Sequence, residues 1–253
     1  MSATEHRVLR GTTLVVRSGA ATHVGRVRDH NEDDLIAQDL VFAVADGMGG
    51  HAAGEVASHL AVEALRELTR HPAASPTDVT AVVQEANRRI LQSQAEHPEQ
   101  RGMGTTVSGL TVVDTGGREH WVVFNVGDSR VYRLAESRMS QVTRDHSEVR
   151  ELMDAGVIDA AEAARHPLRN VITRSLGSEP TPAVDTWELV PSPGERFVVC
   201  SDGLSNELDD EDIARLAAAH EDPQELAEQL VEAAVQAGGR DNVSVVTVAV
   251  DPV

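Results

Sequence analysis

The sequence predicts an α+β fold in which two antiparallel sheets stack face to face and two helix pairs cover their outer faces. Three observations carry this expectation. The elements run in the order strands, helix pair, strands, helix pair, strand. The turn Asp114-Thr115-Gly116-Gly117 joins two β-branched runs as a hairpin, so that half is antiparallel rather than crossover-connected. No linker-like, low-complexity or repeated stretch divides the 253 residues. The chain therefore reads as one domain over residues 1–253, long enough to bury a full core.

Taken in order, Leu14 to Val16 and His23 to Val27 read as short strands, followed by the polar cluster Arg28 to Asp34. Leu40 to Ala45 is an apolar run of buried-strand length. From Ala53 the residues Val56, Leu60, Ala64, Leu65 and Leu68 recur at helical spacing. A second helix begins near Thr77, with Val79, Val82, Val83, Ala86, Ile90 and Leu91 on one face. Strand character returns over Thr105 to Val113, His120 to Val126 and Val131 to Leu134. Residues 144–182 are irregular, with short helical pieces and five arginines, Arg144, Arg150, Arg165, Arg169 and Arg174. Trp187 to Val190 and Arg196 to Cys200 are strands, Asp209 to Ala219 and Pro223 to Ala237 are acidic helices, and Val243 to Val250 is a final strand.

Composition excludes several function classes. The formal net charge of −19 disfavours nucleic acid and anionic membrane, both of which call for basic surface. All 22 basic residues are arginine, which removes a P-loop lysine, a Schiff-base lysine and a lysine general base. Cys200, the single cysteine, precludes an internal disulfide and a thiolate-rich zinc site, and its apolar run reads as core. No apolar run approaches the roughly 20 residues of a membrane span, and the first residues lack the apolar segment of a signal peptide. The expectation is a cytoplasmic protein.

The chain is organised around Leu40 to Glu55, where a buried strand ends at Asp46 and Gly47, Gly49 and Gly50 follow before a helix. Gly47 to Ala52 fits a variant dinucleotide fingerprint, G-x-G-x-x-A. Asp46 would repel a pyrophosphate, and a second helix follows where a βαβ unit needs its next strand. A metal site fits the whole chain better. Carboxylates recur at strand ends or beside glycine: Glu32-Asp33, Asp46-Gly47, Asp128 after Gly127, Asp202-Gly203 and Asp241 after Gly238-Gly239-Arg240. Each alone is an ordinary turn residue. Together they form an all-oxygen donor set, which selects Mg²⁺ or Mn²⁺ over zinc.

Eight segments make the chain resemble the bacterial metal-dependent type 2C protein serine/threonine phosphatases of the PPM family. They are VGRVRDHNEDD, FAVADGMGGHAAGE, GMGTTVSG, VGDSRVYRL, DHSEVRELMDAGVI, HPLRNVITRSLG, VVCSDGLSNEL and GGRDNVSVV, in that order over about residues 22 to 250. The resemblance implies an α-β-β-α sandwich with a binuclear metal centre in the cleft between the sheets. It makes Asp46 the ligand bridging both metals, with Asp202 and Asp241 completing one site and Glu32 and the Gly47 carbonyl the other. A third, weaker metal of bacterial relatives corresponds to Asp128 with Asp202. Arg28 matches the arginine that grips substrate phosphate, with Arg26 the alternative. His51 is the nearby histidine for a general acid, a structural role being the equal alternative. Asp33 would orient ligands or waters. Asn242 would either support Asp241 or shape a turn. Asp34 and Asn206 depart from common bacterial patterns, and neither is an expected ligand.

The implied activity is hydrolysis of phosphoserine and phosphothreonine monoesters on proteins by a metal-bridging water. The implied partners are phosphorylated proteins, namely Ser/Thr kinases and their substrates, met by a monomer. Residues 144–182 correspond to a flap beside the cleft, whose arginines would meet acidic or phosphorylated segments or form ordinary surface salt bridges.

Overall fold

Strand register governs this fold, because it brings distant carboxylates to one end of a sandwich. The computed structural model describes residues 7–9, 13–49, 53–71, 73, 75–114, 116–136 and 138–252. The first elements are β1 (Arg7–Val8), β2 (Leu14–His23), β3 (Asp34–Gln38), β4 (Val41–Ala45) and β5 (Gly47–Met48). Helices α1 (Ala53–Leu65), α2 (Glu67–Arg70) and α3 (Pro76–Glu96) follow. Then come β6 (Gly104–Thr105), β7 (Val107–Asp114), β8 (Glu119–Val126), β9 (Arg130–Ala135) and β10 (Arg138–Gln141). The flap region holds α4 (Glu148–Asp154) and α5 (Ala160–Ala163). The remainder is β11 (Asp185–Leu189), β12 (Arg196–Cys200), α6 (Asp202–Ser205), α7 (Asp210–Ala219), α8 (Pro223–Ala237) and β13 (Val243–Pro252).

Two antiparallel sheets form, in the orders β1-β2-β13-β12-β9-β10 and β11-β8-β7-β4-β3, with a separate β5-β6 pair. Strand β4 shows how its residues choose sides. Val41, Ala43 and Ala45 face one layer, packing with Ala57, Ala61 and Leu65 of α1. Phe42 and Val44 face the other sheet, packing with Phe197 and Val246. This period of two is intrinsic to an extended chain, so a strand buried on both faces is apolar throughout. Helices α7 and α8 cover the six-stranded sheet through Ile213, Leu226 and Leu230. The layers are α-β-β-α, as expected.

Helix starts are set by side-chain caps. Ser75, Asp209 and Asp222 each accept a backbone N–H three residues on, and Pro76 and Pro223 occupy first-turn positions. Three sequence expectations need correction. His23 to Val27 is not a strand of its own: β2 runs through to His23 and the chain then turns, with Arg26 N–H donating to the Gly239 carbonyl (2.6 Å). Leu40 belongs to the β3–β4 turn, where Asp39 and Leu40 both have positive φ, as a tight hairpin requires. The polar strand β10 was not expected; it is an edge strand paired with β9 alone and needs no apolar run.

Between the sheets, fully buried Trp121 meets Phe197 edge-on at 5.5 Å and Phe42 at 6.3 Å. Phe197→Ala should cost about 3–5 kcal/mol of stability by urea unfolding. A loss below about 1 kcal/mol would show that the sheets do not depend on this contact.

Candidate metal and phosphate site

The register pairs Val44 with Ser108, Val107 with Val126, Cys200 with both Arg130 and Val245, and Val243 with His23. It also pairs Asp34 with Ala45. These pairs all lie at one end of the sandwich. The residues just beyond them are Glu32 and Asp33, Asp46, Asp128, Asp202, and Asp241 with Asn242. Six carboxylates from five chain segments thus converge at one edge of the core.

Local contacts fix each one. Asp46 lies between β4 and β5; its N–H donates to Thr106 Oγ1 (3.1 Å) and its carbonyl accepts from Thr106 N (2.9 Å) and Thr105 Oγ1 (2.9 Å). Gly47 follows, paired with Thr105, where an added Cβ would collide with the backbone carbonyls of Glu32 and Gly54. Only glycine permits that approach. Glu32 receives a hydrogen bond on its carboxylate from the Gly54 amide in the first turn of α1, and on its carbonyl from Ser58 Oγ (2.6 Å). Asp202 begins α6 and accepts from Asn206 Nδ2 (2.9 Å). Asp241 accepts from Arg28 Nη2 (2.7 Å) and from the Asn242 amide (2.9 Å).

Asn242 is the staple of the loop carrying Arg28 and Glu32. Its Nδ2 donates to the carbonyls of Val24 and His30, both at 2.9 Å, while its Oδ1 accepts from Glu32 N (2.8 Å). The sequence offers Arg28, with Arg26 the alternative, as the phosphate ligand. Arg28 is the one whose guanidinium reaches Asp241, and Asp46 and Glu32 are also among the charges acting on it. His51 lies outside the described residues.

Crowding like charges away from water has a direct electrostatic consequence. Burial, then the charges of Asp33, Asp202 and Asp128, hold the Asp46 carboxyl well above the usual range. Burial raises Asp33 to about 7, partly offset by hydrogen bonds from Ser244 and Ser201. Asp128 is raised to about 8 by burial and then by Asp202 and Asp145. Asp202 is raised by burial and then by the charge of Asp241, and eased by its contacts with Asp46 and Asn206. Glu32 is raised by burial.

Several supporting residues were not anticipated from sequence. Ser201 Oγ donates to Asp33 Oδ2 (2.9 Å) and accepts from Ser244 N (3.0 Å). Thr106 Oγ1 lies 2.7 Å from Ser129 Oγ, tying the turn after Asp46 to the turn at Asp128. The available signal was a hydroxyl inside a buried apolar strand, as in VVCSDG and NVSVV, where a polar group needs a partner. Of the five flap arginines, Arg144 and Arg150 bond Asp154 and Arg174 bonds Asp185. Those three form intramolecular ion pairs.

The profile of the family described as Protein phosphatase 2C matches residues 25–236, most of the chain. The chain belongs to the protein phosphatase 2C family. It is 40% identical over 237 residues to the serine/threonine protein phosphatase PstP of Mycobacterium tuberculosis, covering 92% of this chain and 45% of that protein. The chain thus spans about half the length of that relative. To the serine/threonine phosphatase stp of Listeria innocua it is 34% identical over 238 residues, covering 90% of this chain and 93% of that one. The solved catalytic domain of PstP in complex with two manganese ions superposes with a TM-score of 0.84 at 37% identity, covering 94% of this chain and all of that one.

This phosphatase-family chain has side chains that fit divalent cations. Asp33 Oδ1 and Asp128 Oδ1 are buried and have no hydrogen-bond donor among the described residues. An orphaned carboxylate oxygen beside other raised carboxylates is stabilised by a cation, and an all-oxygen set favours a hard one. Among the described residues, no three His, Cys, Asp or Glu side chains already meet as a ligand cage.

The raised carboxyls set an unusual pH dependence for the cation-free protein. With Asp33 near 7 and Asp128 near 8, against about 4 for an ordinary carboxylate, the folded chain binds more protons than the unfolded chain between these values. The stability this contributes is full below about pH 4 and is lost as pH rises through about 8. Thermal melts of EDTA-treated protein should show Tm falling between about pH 5 and about pH 8.5, with a shallower fall for Asp128→Asn. A slope unchanged in that variant would refute the assignment.

Proposed function

We propose that this chain hydrolyses phosphoserine and phosphothreonine monoesters on proteins, opposing bacterial Ser/Thr kinases. The observation that carries the reading is the convergence of six carboxylates at one end of the sandwich, with Arg28 bonded to Asp241 among them, in a chain of the protein phosphatase 2C family. Glu32, Asp46, the Gly47 carbonyl, Asp202 and Asp241 would hold two Mg²⁺ or Mn²⁺ ions, and Asp128 with Asp202 a third. The two manganese ions in the PstP structure support the first two sites. Such cations supply Lewis-acid polarisation of phosphoryl oxygens and activation of water.

The chain's own residues do the rest. The Arg28 side chain is about half exposed, so its planar fork can leave Asp241 for two phosphate oxygens. Asp241, freed of Arg28, would be available as a cation ligand. Asp33, held by Ser201, orients waters or ligands beside Asp46. Asn242 keeps Arg28 and Glu32 on one stapled loop. His51 serves as the general acid for the leaving serine or threonine oxygen. Residues 1–253 act as one domain, a cytoplasmic monomer, with residues 144–182 as the flap.

Phosphate release from a phosphothreonine peptide in Mn²⁺ tests the reading. Asp202→Ala should abolish turnover; an unchanged rate removes its role. Arg28→Ala should raise KM about tenfold or more with a smaller effect on kcat, since it removes a charge-assisted phosphate contact. A normal KM there would assign phosphate binding elsewhere. A Mn²⁺-loaded wild type that releases no phosphate would sink the activity itself.

A further inference from the structure

The turn that presents Asp128 is gripped by the root of the flap. Gly127 N–H donates to His146 Nδ1 (3.0 Å), and the Gly127 carbonyl accepts from His146 N (2.9 Å) and from Asn125 Nδ2 (3.0 Å). Asn125 Nδ2 also donates to the Arg144 carbonyl (3.1 Å). An amide that donates to Nδ1 requires that nitrogen to be bare, so the neutral ring carries its proton on Nε2. Nε2–H then donates to Asp185 Oδ2 (3.1 Å), at the start of β11. Arg174 Nη1 lies 2.9 Å from Nε2, which carries the ring proton and so cannot accept from it; Nη1 donates instead to Asp185 Oδ1 (2.8 Å) and to the Ala183 carbonyl (3.2 Å). The His146 carbonyl accepts from Thr173 N (2.8 Å). One buried histidine therefore joins the Asp128 turn and the first residue of β11 through its ring, and the far end of the flap through its main-chain carbonyl.

The turn has little freedom on its other side. Gly127 has φ +113°, and an added Cβ would overlap the Thr106 side chain at 2.6 Å. Thr106 in turn holds both Asp46 and Ser129. Burial lowers the His146 pKa, which keeps the ring in the neutral form this bonding needs.

We propose that His146 is a positioning residue: it sets Asp128 against Asp202 and ties that setting to the position of the flap. The proposal rests on the reading of Asp128 as a cation ligand. A flap displaced by substrate or partner pulls on Asp185, Arg174 and Thr173, and the pull reaches Asp128 through one residue.

Two substitutions separate the ring's two jobs. His146→Asn keeps an acceptor near Nδ1 but cannot reach Asp185. His146→Gln reaches toward Asp185 with an N–H but withdraws the acceptor from Gly127. Amide hydrogen exchange of Gly127 in EDTA-treated protein should quicken about tenfold or more in His146→Gln, as a buried donor loses its partner, and stay near wild type in His146→Asn. With p-nitrophenyl phosphate and saturating Mn²⁺, His146→Gln should lose about tenfold or more in kcat, with KM within about twofold, and His146→Asn should recover most of it. Equal exchange and equal kcat in the two variants would overturn the proposal, as would wild-type values in His146→Gln. Asp185→Asn, a milder change, should shift the Mn²⁺ concentration giving half-maximal rate while leaving Gly127 protected; no shift counts against the flap link. The exchange arm needs no turnover, so failure of the clamp is distinguishable from failure of the phosphatase reading, which would leave wild-type protein itself inactive.

Discussion

Mutual repulsion among buried carboxylates is the interaction on which the rest of this structure depends. Asp128 is buried and Asp33, Asp46 and Asp202 are partly buried, where water screens them poorly, and each raises the others or is raised by burial. A fold tolerates such a cluster only if its surroundings over-determine it. Here the sheets supply that rigidity. Asp128 and Asp202 leave strands buried on both faces, and Asp241 enters from β13, which pairs with β2 over its whole length.

Positive partners in the cluster are few by comparison. Arg28 reaches one oxygen of Asp241, and the Ser201 hydroxyl donates to one oxygen of Asp33. Arg130 is committed to Asp145 and Tyr132, so its charge is largely spoken for. Protons or divalent cations are what remain to balance the charge. Raised, proton-holding carboxyls are the cation-free solution, and exchange of those protons for metal is what the proposed function requires. The same logic explains how a chain of net charge −19 can accept a phosphate: local charge at the site, not the global balance, decides.

Much of this was legible in the sequence. Carboxylates at strand ends, beside glycine, marked the site because strand ends are where a sheet can present a polar group without burying it in the core. The layer order followed from the element order, and α8 and β12 have their expected bounds. What stayed hidden was tertiary. Nothing local distinguishes Asn242 as a staple from Asn242 as a turn residue; that depends on Val24 and His30, some 200 residues away. Residue His146 looked like part of an irregular flap, because its partners Gly127 and Asp185 lie on other segments. Strand β10 was missed because an edge strand needs no apolar pattern.

The central claim is that this carboxylate cluster trades protons for divalent cations. Isothermal titration of Mn²⁺ into EDTA-cleared protein at about pH 7, in two buffers of different ionisation enthalpy, measures that exchange directly. The account predicts binding accompanied by a net release of about one proton or more, seen as a buffer-dependent heat. Binding with no buffer dependence, or no Mn²⁺ bound at all, would contradict it.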